Sequence, residues 1–335
     1  MTSGHKMSPP SSLIERFTAV TSSSEKDVFH NANNLFQAPG YRGIYGGATI
    51  AHSLSAAQQT VPDDFDIHTL HCLFIAPGRS ADPIYYYVKR VRDGKNFISR
   101  QIEAIQKARC IFTATLSFVR DGAEGSKTLQ HFVSMPLCVK APPNMRSSRD
   151  GAVDQRYPPF ESIRYPLPLS GTPAQKRERQ WMRARGRLPN DAKTHQSALA
   201  YMSDSYLVGA IARVHGTKNS PSSALRSVES KMKAFPESEM EVGEMRKYLA
   251  GIGFGREVDK VDEVEEGKEI EEKSVDLVVS LNHTMYFHHP RAFRADEWMF
   301  TETEVPWTSG GRGLVMQRIW SKEGVFIVTC IQVRI

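Results

Sequence analysis

A carboxylate interrupts an apolar helical stripe at Asp204. In HQSALAYMSDSYLVGAIARVHG, residues 195–216, spacings of three and four put Ala200, Tyr201, Asp204, Leu207, Val208 and Ile211 on one face. Burying an unpaired charge is costly, so a carboxylate there needs hydrogen-bond partners or a chemical task. It would hold a loop or cap a neighbouring turn, or it would act on a ligand. Ser280 in VVSLNHTMYF and Gln332 in VFIVTCIQVRI are polar positions among strand-forming apolar residues. A lone Ser or Gln in a strand is ordinarily its wet face. Three such groups meeting beside one helix could hold and polarise a water molecule.

Other chemistries find less support. His68, His71, His283, His288 and His289 invite a metal reading, but no HxxxH or HExxH spacing occurs, and His68 and His71 fall on opposite faces of a strand. No metal or redox cofactor is therefore expected. The sequence has no G-x-S-x-G elbow, no phosphate-cradling G-x-x-x-x-G-K-[ST] loop and no dinucleotide fingerprint. The glycine-rich stretch WTSGGRG at 307–313 joins two predicted strands rather than a strand and a helix.

These side chains need a scaffold, and 335 residues suffice for two core-bearing units. Hydrophobic residues make up 40% and charged residues 24%, which excludes wholesale disorder. Cys72, Cys110, Cys138 and Cys330 are widely spaced, the usage of a reducing compartment and not of a disulfide or zinc framework. No apolar run approaches membrane-spanning length, and the N-terminal dozen lacks a secretory core. The cysteine usage gives the expectation of an intracellular protein, cytoplasmic or peroxisomal, although the terminal Gln-Val-Arg-Ile does not match a Ser-Lys-Leu address.

Along the chain, residues 1–12 read as a mobile tail and 13–138 as a first unit. Within it a helix at 48–57, entered through Gly46-Gly47, precedes strands at 67–75, 84–91, 97–105 and 110–119. Breakers mark 139–165 as a linker. The second unit, 166–335, repeats the order: a strand at 180–187, a helix at 194–215, then strands at 277–287, 298–304, 314–320 and 325–333. An insertion at about 217–274 interrupts it, with a short helix expected at 238–249. Its stretch 256–273 holds nine acidic and four basic residues and reads as solvated.

Seven ordered blocks carry a resemblance: GIYGGATIAHSL (43–54), HTLHCLFIAPG (68–78), YMSDSYLVGA (201–210), SLNHTMYFHHP (280–290), FRADEW (293–298), SGGRGL (309–314) and the strand with Gln332. Together they resemble the type II acyl-CoA thioesterases, over nearly the whole chain apart from the tail and the insertion. The resemblance implies an α+β double hot dog: two tandem antiparallel sheets, each wrapped around a long helix. It also implies that Asp204, Ser280 and Gln332 orient a water that attacks an acyl-CoA thioester, with no cofactor. Three departures stand out: Ala48 where the family commonly has Gln, Asn282 where it has Asp, and Arg291-Ala292 as two extra residues. The Glu-Gly-Val-Arg that usually follows the family's glutamine is shortened after Gln332 to Val333, Arg334 and Ile335.

The expected function is hydrolysis of acyl-CoA to acid and CoA. Rivals are a catalytically weak acyl-CoA-binding accessory protein and another hot-dog activity such as enoyl-CoA hydration. The charge of +6 would also suit nucleic acid, but no motif supports that partner. The stretch 256–273 is net −5, which leaves the rest at +11, and Arg42, Arg294 and Arg312 are candidates to meet the phosphates of CoA. Exposed sheet edges would allow a homo-oligomer.

Overall fold

The computed structural model describes residues 12–35, 37, 43–123, 125, 129–137, 141–142, 159–168, 170–205, 207–216 and 279–334. The expected insertion at about 217–274, including its short helix, lies outside them.

The first half opens with α1 (Leu13–Thr18), capped by the Ser12 hydroxyl, which accepts from the Glu15 amide. The short strands β1 (Val20–Ser22) and β2 (Val28–Asn31) follow, and then α2 (Gly46–Gln58). Its remaining strands are β3 (Phe65–Phe74), β4 (Tyr85–Asp93), β5 (Phe97–Gln106) and β6 (Arg109–Arg120). The second half has β7 (Phe160–Arg164), β8 (Glu178–Ala184), α3 (Ala192–Ser203) and α4 (Leu207–His215). It closes with β9 (Asn282–Phe287), β10 (Met299–Ser309), β11 (Arg312–Ser321) and β12 (Phe326–Arg334).

The twelve strands among the described residues form one antiparallel sheet in the order β1-β2-β4-β5-β6-β3-β9-β12-β11-β10-β8-β7. The expected pair of sheets is thus a single surface. The halves join where β3 meets β9, with Leu70 opposite Met285 and His71 opposite Thr284. That pairing consumes one edge from each half, which otherwise would expose unpaired N–H and C=O groups. Each half keeps the double hot-dog plan of six strands around a central helix.

The central helices are built of small residues. GGATIAHSLSAAQ in α2 and AKTHQSALAYMS in α3 let the backbones pack side by side, and both are buried on nearly every face. They share one core with the inward sides of β3, β4, β5, β6 and β9, including Ile50, Leu54, Leu70, Phe112, Leu199 and Met285. A second aromatic cluster, Trp181, Trp298, Phe300 and Trp320, lies toward the far end of the second half.

Several elements differ from the sequence reading, among them α1, which it does not contain. The strands β1 and β2 are too short to show a period, and β7 falls inside the stretch read as linker. Breakers dominate that stretch, but Phe160–Arg164 after Pro159 pairs fully with β8. The helix expected over 194–215 is broken: α3 ends at Ser203, Asp204 is its C-cap, and α4 restarts at Leu207. Hydroxyls cause the break, since Ser203 donates to the Ala200 carbonyl (2.9 Å) and Ser205 to that of Met202 (2.6 Å), competing with the helical ladder. Among the described residues, no helix is long and apolar enough to cross a membrane.

Candidate active site

The break in the helix places Asp204 at the meeting point of both halves. The residue is 4% exposed, and Gln332 and Arg334 on β12 are fully buried beside it. Gln332 Nε2 donates to Asp204 Oδ1 at 2.8 Å. Arg334 Nε and Nη2 both donate to Gln332 Oε1, at 3.1 and 2.8 Å, and Nη2 stands 3.7 Å from Asp204 Oδ1.

From the other half, the N-terminus of α2 points at the same carboxylate. Gly47 donates its backbone N–H to Asp204. The α2 N-cap, Tyr45, supplies no side-chain cap, so Asp204 satisfies a donor that the helix leaves orphaned and meets the positive end of its dipole. Close approach demands glycine: a Cβ on Gly46 would sit 2.7 Å from Asp204 Oδ2 and 2.9 Å from the Phe74 ring. The Tyr45 hydroxyl donates to the Tyr201 carbonyl (2.8 Å), tying the helix entrance to the last turn of α3.

Burial pushes the Asp204 carboxyl up, and Arg334, Gln332 and the Gly47 amide pull it back down. Arg334 is lowered by burial to about 10 and stays cationic at neutral pH. Behind the carboxylate, His283 is buried at 2.9 Å from the Ser203 hydroxyl. Burial lowers it to about 3, so it is a neutral packing partner. The Cys72 thiol donates to the His283 carbonyl, and burial together with Asp204 raises both Cys72 and Cys330.

The three expected residues are brought to one end of the sheet, but not into one network. Asp204 and Gln332 bond directly. Ser280 is placed by its backbone bridge to Arg334, is half-buried, and makes no side-chain hydrogen bond among the described residues. The strand end that carries Gln332 is held by its neighbours. Leu281 N–H donates to the Val333 carbonyl (2.9 Å), and Asn282 Oδ1 accepts from Val333 N–H (2.8 Å), which gives the departure at 282 a structural task.

The three arginines proposed for phosphate divide differently. Arg42 lies outside the described residues. Arg312 is exposed at the start of β11, next to Gly313, which pairs with Arg334, so it flanks the site. Arg294 does not. It binds Asp296 at 3.0 Å, Asn190 and the Leu188 carbonyl at the N-terminal end of α3. A helix of 12 residues separates it from Asp204, about 18 Å of rise. Arg294 is a clamp, since its fork is spent on the buried Asp296. Arg291, one of the two extra residues, likewise pairs with Asp66 at the start of β3.

Sequence reasoning missed Arg334, Gly47 and His283 as partners of the site. Arg334 left a sequence signal, as a second polar residue two positions beyond Gln332 on the same strand face, and Gly47 left one in the Gly46-Gly47 entrance of the helix. Among the described residues no cluster of His, Cys, Asp and Glu is arranged to hold a metal ion.

Comparison with known proteins agrees with this architecture. Residues 37–119 match the model of the acyl-CoA thioesterase N-terminal domain and residues 138–335 that of the acyl-CoA thioesterase C-terminal domain. The chain is 29% identical to acyl-coenzyme A thioesterase 8 of Homo sapiens over 332 residues, 92% of this chain and 84% of that protein. It is 28% identical to acyl-CoA thioesterase 2 of Haemophilus influenzae, covering 88% of this chain and 87% of the relative. In fold it resembles the crystal structure of acyl-CoA thioesterase II TesB2 from Mycobacterium marinum, at a TM-score of 0.62 and 23% identity over 96% of both chains. With the C-terminal model alone spanning more than half of the sequence, the chain belongs to the acyl-CoA thioesterase family, in its type II, double hot-dog form.

Proposed function

We propose that this acyl-CoA thioesterase hydrolyses its substrate by direct attack of a water activated at Asp204. The observation that carries the reading is the 2.8 Å bond from Gln332 to Asp204 in a buried position where the two halves meet. Asp204 takes a proton as the water oxygen bonds to the thioester carbonyl carbon. The tetrahedral oxyanion then collapses, the C–S bond breaks, and the CoA sulfur leaves with the proton held by Asp204. Gln332 orients the base, and Ser280, half-buried at the same strand end, is the hydroxyl available to the water. Backbone donors near the α2 N-terminus stabilise the oxyanion. Arg312 and Arg42 are proposed to meet the CoA phosphates.

Asp204→Asn tests the assignment, read as CoA thiol release. A positioned base contributes about 10²- to 10⁴-fold, so hydrolysis should fall by that factor with the fold retained. Ser280→Ala should lower kcat about tenfold or more on the same grounds. Unchanged hydrolysis by Asp204→Asn would sink the reading.

The three described cysteines are free, which suits a reducing intracellular compartment, cytoplasm or peroxisome. The sheet ends at β1 and β7, and these edges are where a homo-oligomer would pair.

A further inference from the structure

Arg334 lies two residues beyond Gln332, the strand period that returns both side chains to one face. It is fully buried. A guanidinium does not shed its proton at neutral pH, so burial here demands acceptors and an anion. The structure supplies both. Gln332 Oε1 receives Nε and Nη2, and Asp204 Oδ1 stands 3.7 Å from Nη2.

The consequence concerns the Gln332 amide, whose oxygen and nitrogen are nearly alike in shape and could face either way. Arg334 has donors only, so Oε1 must turn to it, and Nε2 is thereby turned to Asp204. Arg334 Nη1 is buried without a hydrogen-bond partner among the described residues.

We propose that Arg334 is a positioning residue of this site: its fork sets the Gln332 amide with Nε2 toward Asp204, and its charge keeps the buried carboxylate ionised. This rests on the base role proposed for Asp204.

The other groups facing the carboxylate do not supply that charge. From α2 comes the Gly47 amide and from β3 and β12 come the thiols of Cys72 and Cys330, which burial keeps neutral. His283 on β9 is neutral, and the Tyr45 hydroxyl donates to the Tyr201 carbonyl. Arg213 on α4 is held in a two-pronged ion pair by Glu178.

The experiment compares the full-length chain with Arg334→Gln, Arg334→Lys and Asp204→Asn, measuring kcat, KM and the pH profile of kcat/KM by thiol release. Losing the cation favours protonated Asp204, so the acidic limb in Arg334→Gln should move to higher pH by about one to three pH units. A misaimed amide should lower kcat by about 10²-fold, with KM little changed. Arg334→Lys keeps the charge without the fork: its acidic limb should stay in place while kcat still falls. If Arg334→Gln does not fold, Arg334→Lys decides, because parental kcat in that variant overturns the role of the fork. Parental kcat and acidic limb in Arg334→Gln overturn the proposal outright. If Asp204→Asn is inactive in that case, only the role of Arg334 has failed. If Asp204→Asn hydrolyses like the parent, the base assignment has failed instead.

Discussion

Gly47 donates its backbone N–H to Asp204, so the first-half helix is capped by a carboxylate from the second half. One contact therefore does two things. It satisfies a helix terminus that no local side chain serves, and it aims a positive dipole end at the group proposed as the base. The capping and chemical readings of Asp204 are one arrangement. The cap also means that neither half carries the site alone.

Gly46→Ala should be far more damaging than a methyl suggests. Its Cβ would stand 2.7 Å from Asp204 Oδ2 and 2.9 Å from Phe74, so the carboxylate or the helix entrance must shift. A displacement near 1 Å costs about 10²-fold in rate, and kcat for thiol release should fall by that order with secondary structure by circular dichroism unchanged. Parental kcat would show that the close approach is not needed.

Stability should decline as the pH falls from 7 to 5. Burial lowers His52 to about 4 and His283 to about 3, whereas in the unfolded chain both titrate near 6.5. The unfolded state thus binds more protons below 6.5, and stability present above that pH is lost as pH falls toward the folded values. His195, lowered mainly by burial, adds in the same sense. His71 and His288, lowered mainly by burial, do the same, and Asp204, raised by burial, opposes them as a single group against five. Each pH unit of separation is worth about 1.4 kcal/mol per group, so urea midpoints should drop markedly between pH 7 and 5. A flat or rising midpoint would contradict the buried neutral histidines.

Gln58→Ala should cost stability and spare catalysis. At the opposite end of the helix pair from Asp204, Gln58 Nε2 donates to Gln196 Oε1 (2.8 Å), and Gln58 Oε1 accepts from Ser197 (3.0 Å). Gln196 continues the network to Asp66. Truncation strands buried partners in α3, at a cost of about 1–3 kcal/mol by denaturant unfolding. The kcat of the folded variant should stay within about twofold, because α2 and its 13 residues, about 20 Å of rise, separate the lesion from Asp204. A large kcat loss would mean that the two ends are coupled.

Periodicity and composition determined a good part of this protein. The long strands β3–β6 and β9–β12 show their alternation locally, α2 shows its Gly-Gly entrance, and Asp204 betrays itself by standing in an apolar stripe. Such signals are legible because one buried face imposes a period on contiguous residues. Tertiary structure decided the rest. The β3–β9 seam that makes one sheet is a pairing between residues more than two hundred positions apart, and the break after Ser203 depends on where hydroxyls find carbonyls. Arg294 and Arg334 show the limit most clearly. Both are arginines near family motifs, but Asp296 claims one at the far end of α3, while strand register carries the other into the core beside Gln332 and Asp204. Charge and residue type are written locally, whereas the partner that consumes a charge is set by distances only the folded chain creates.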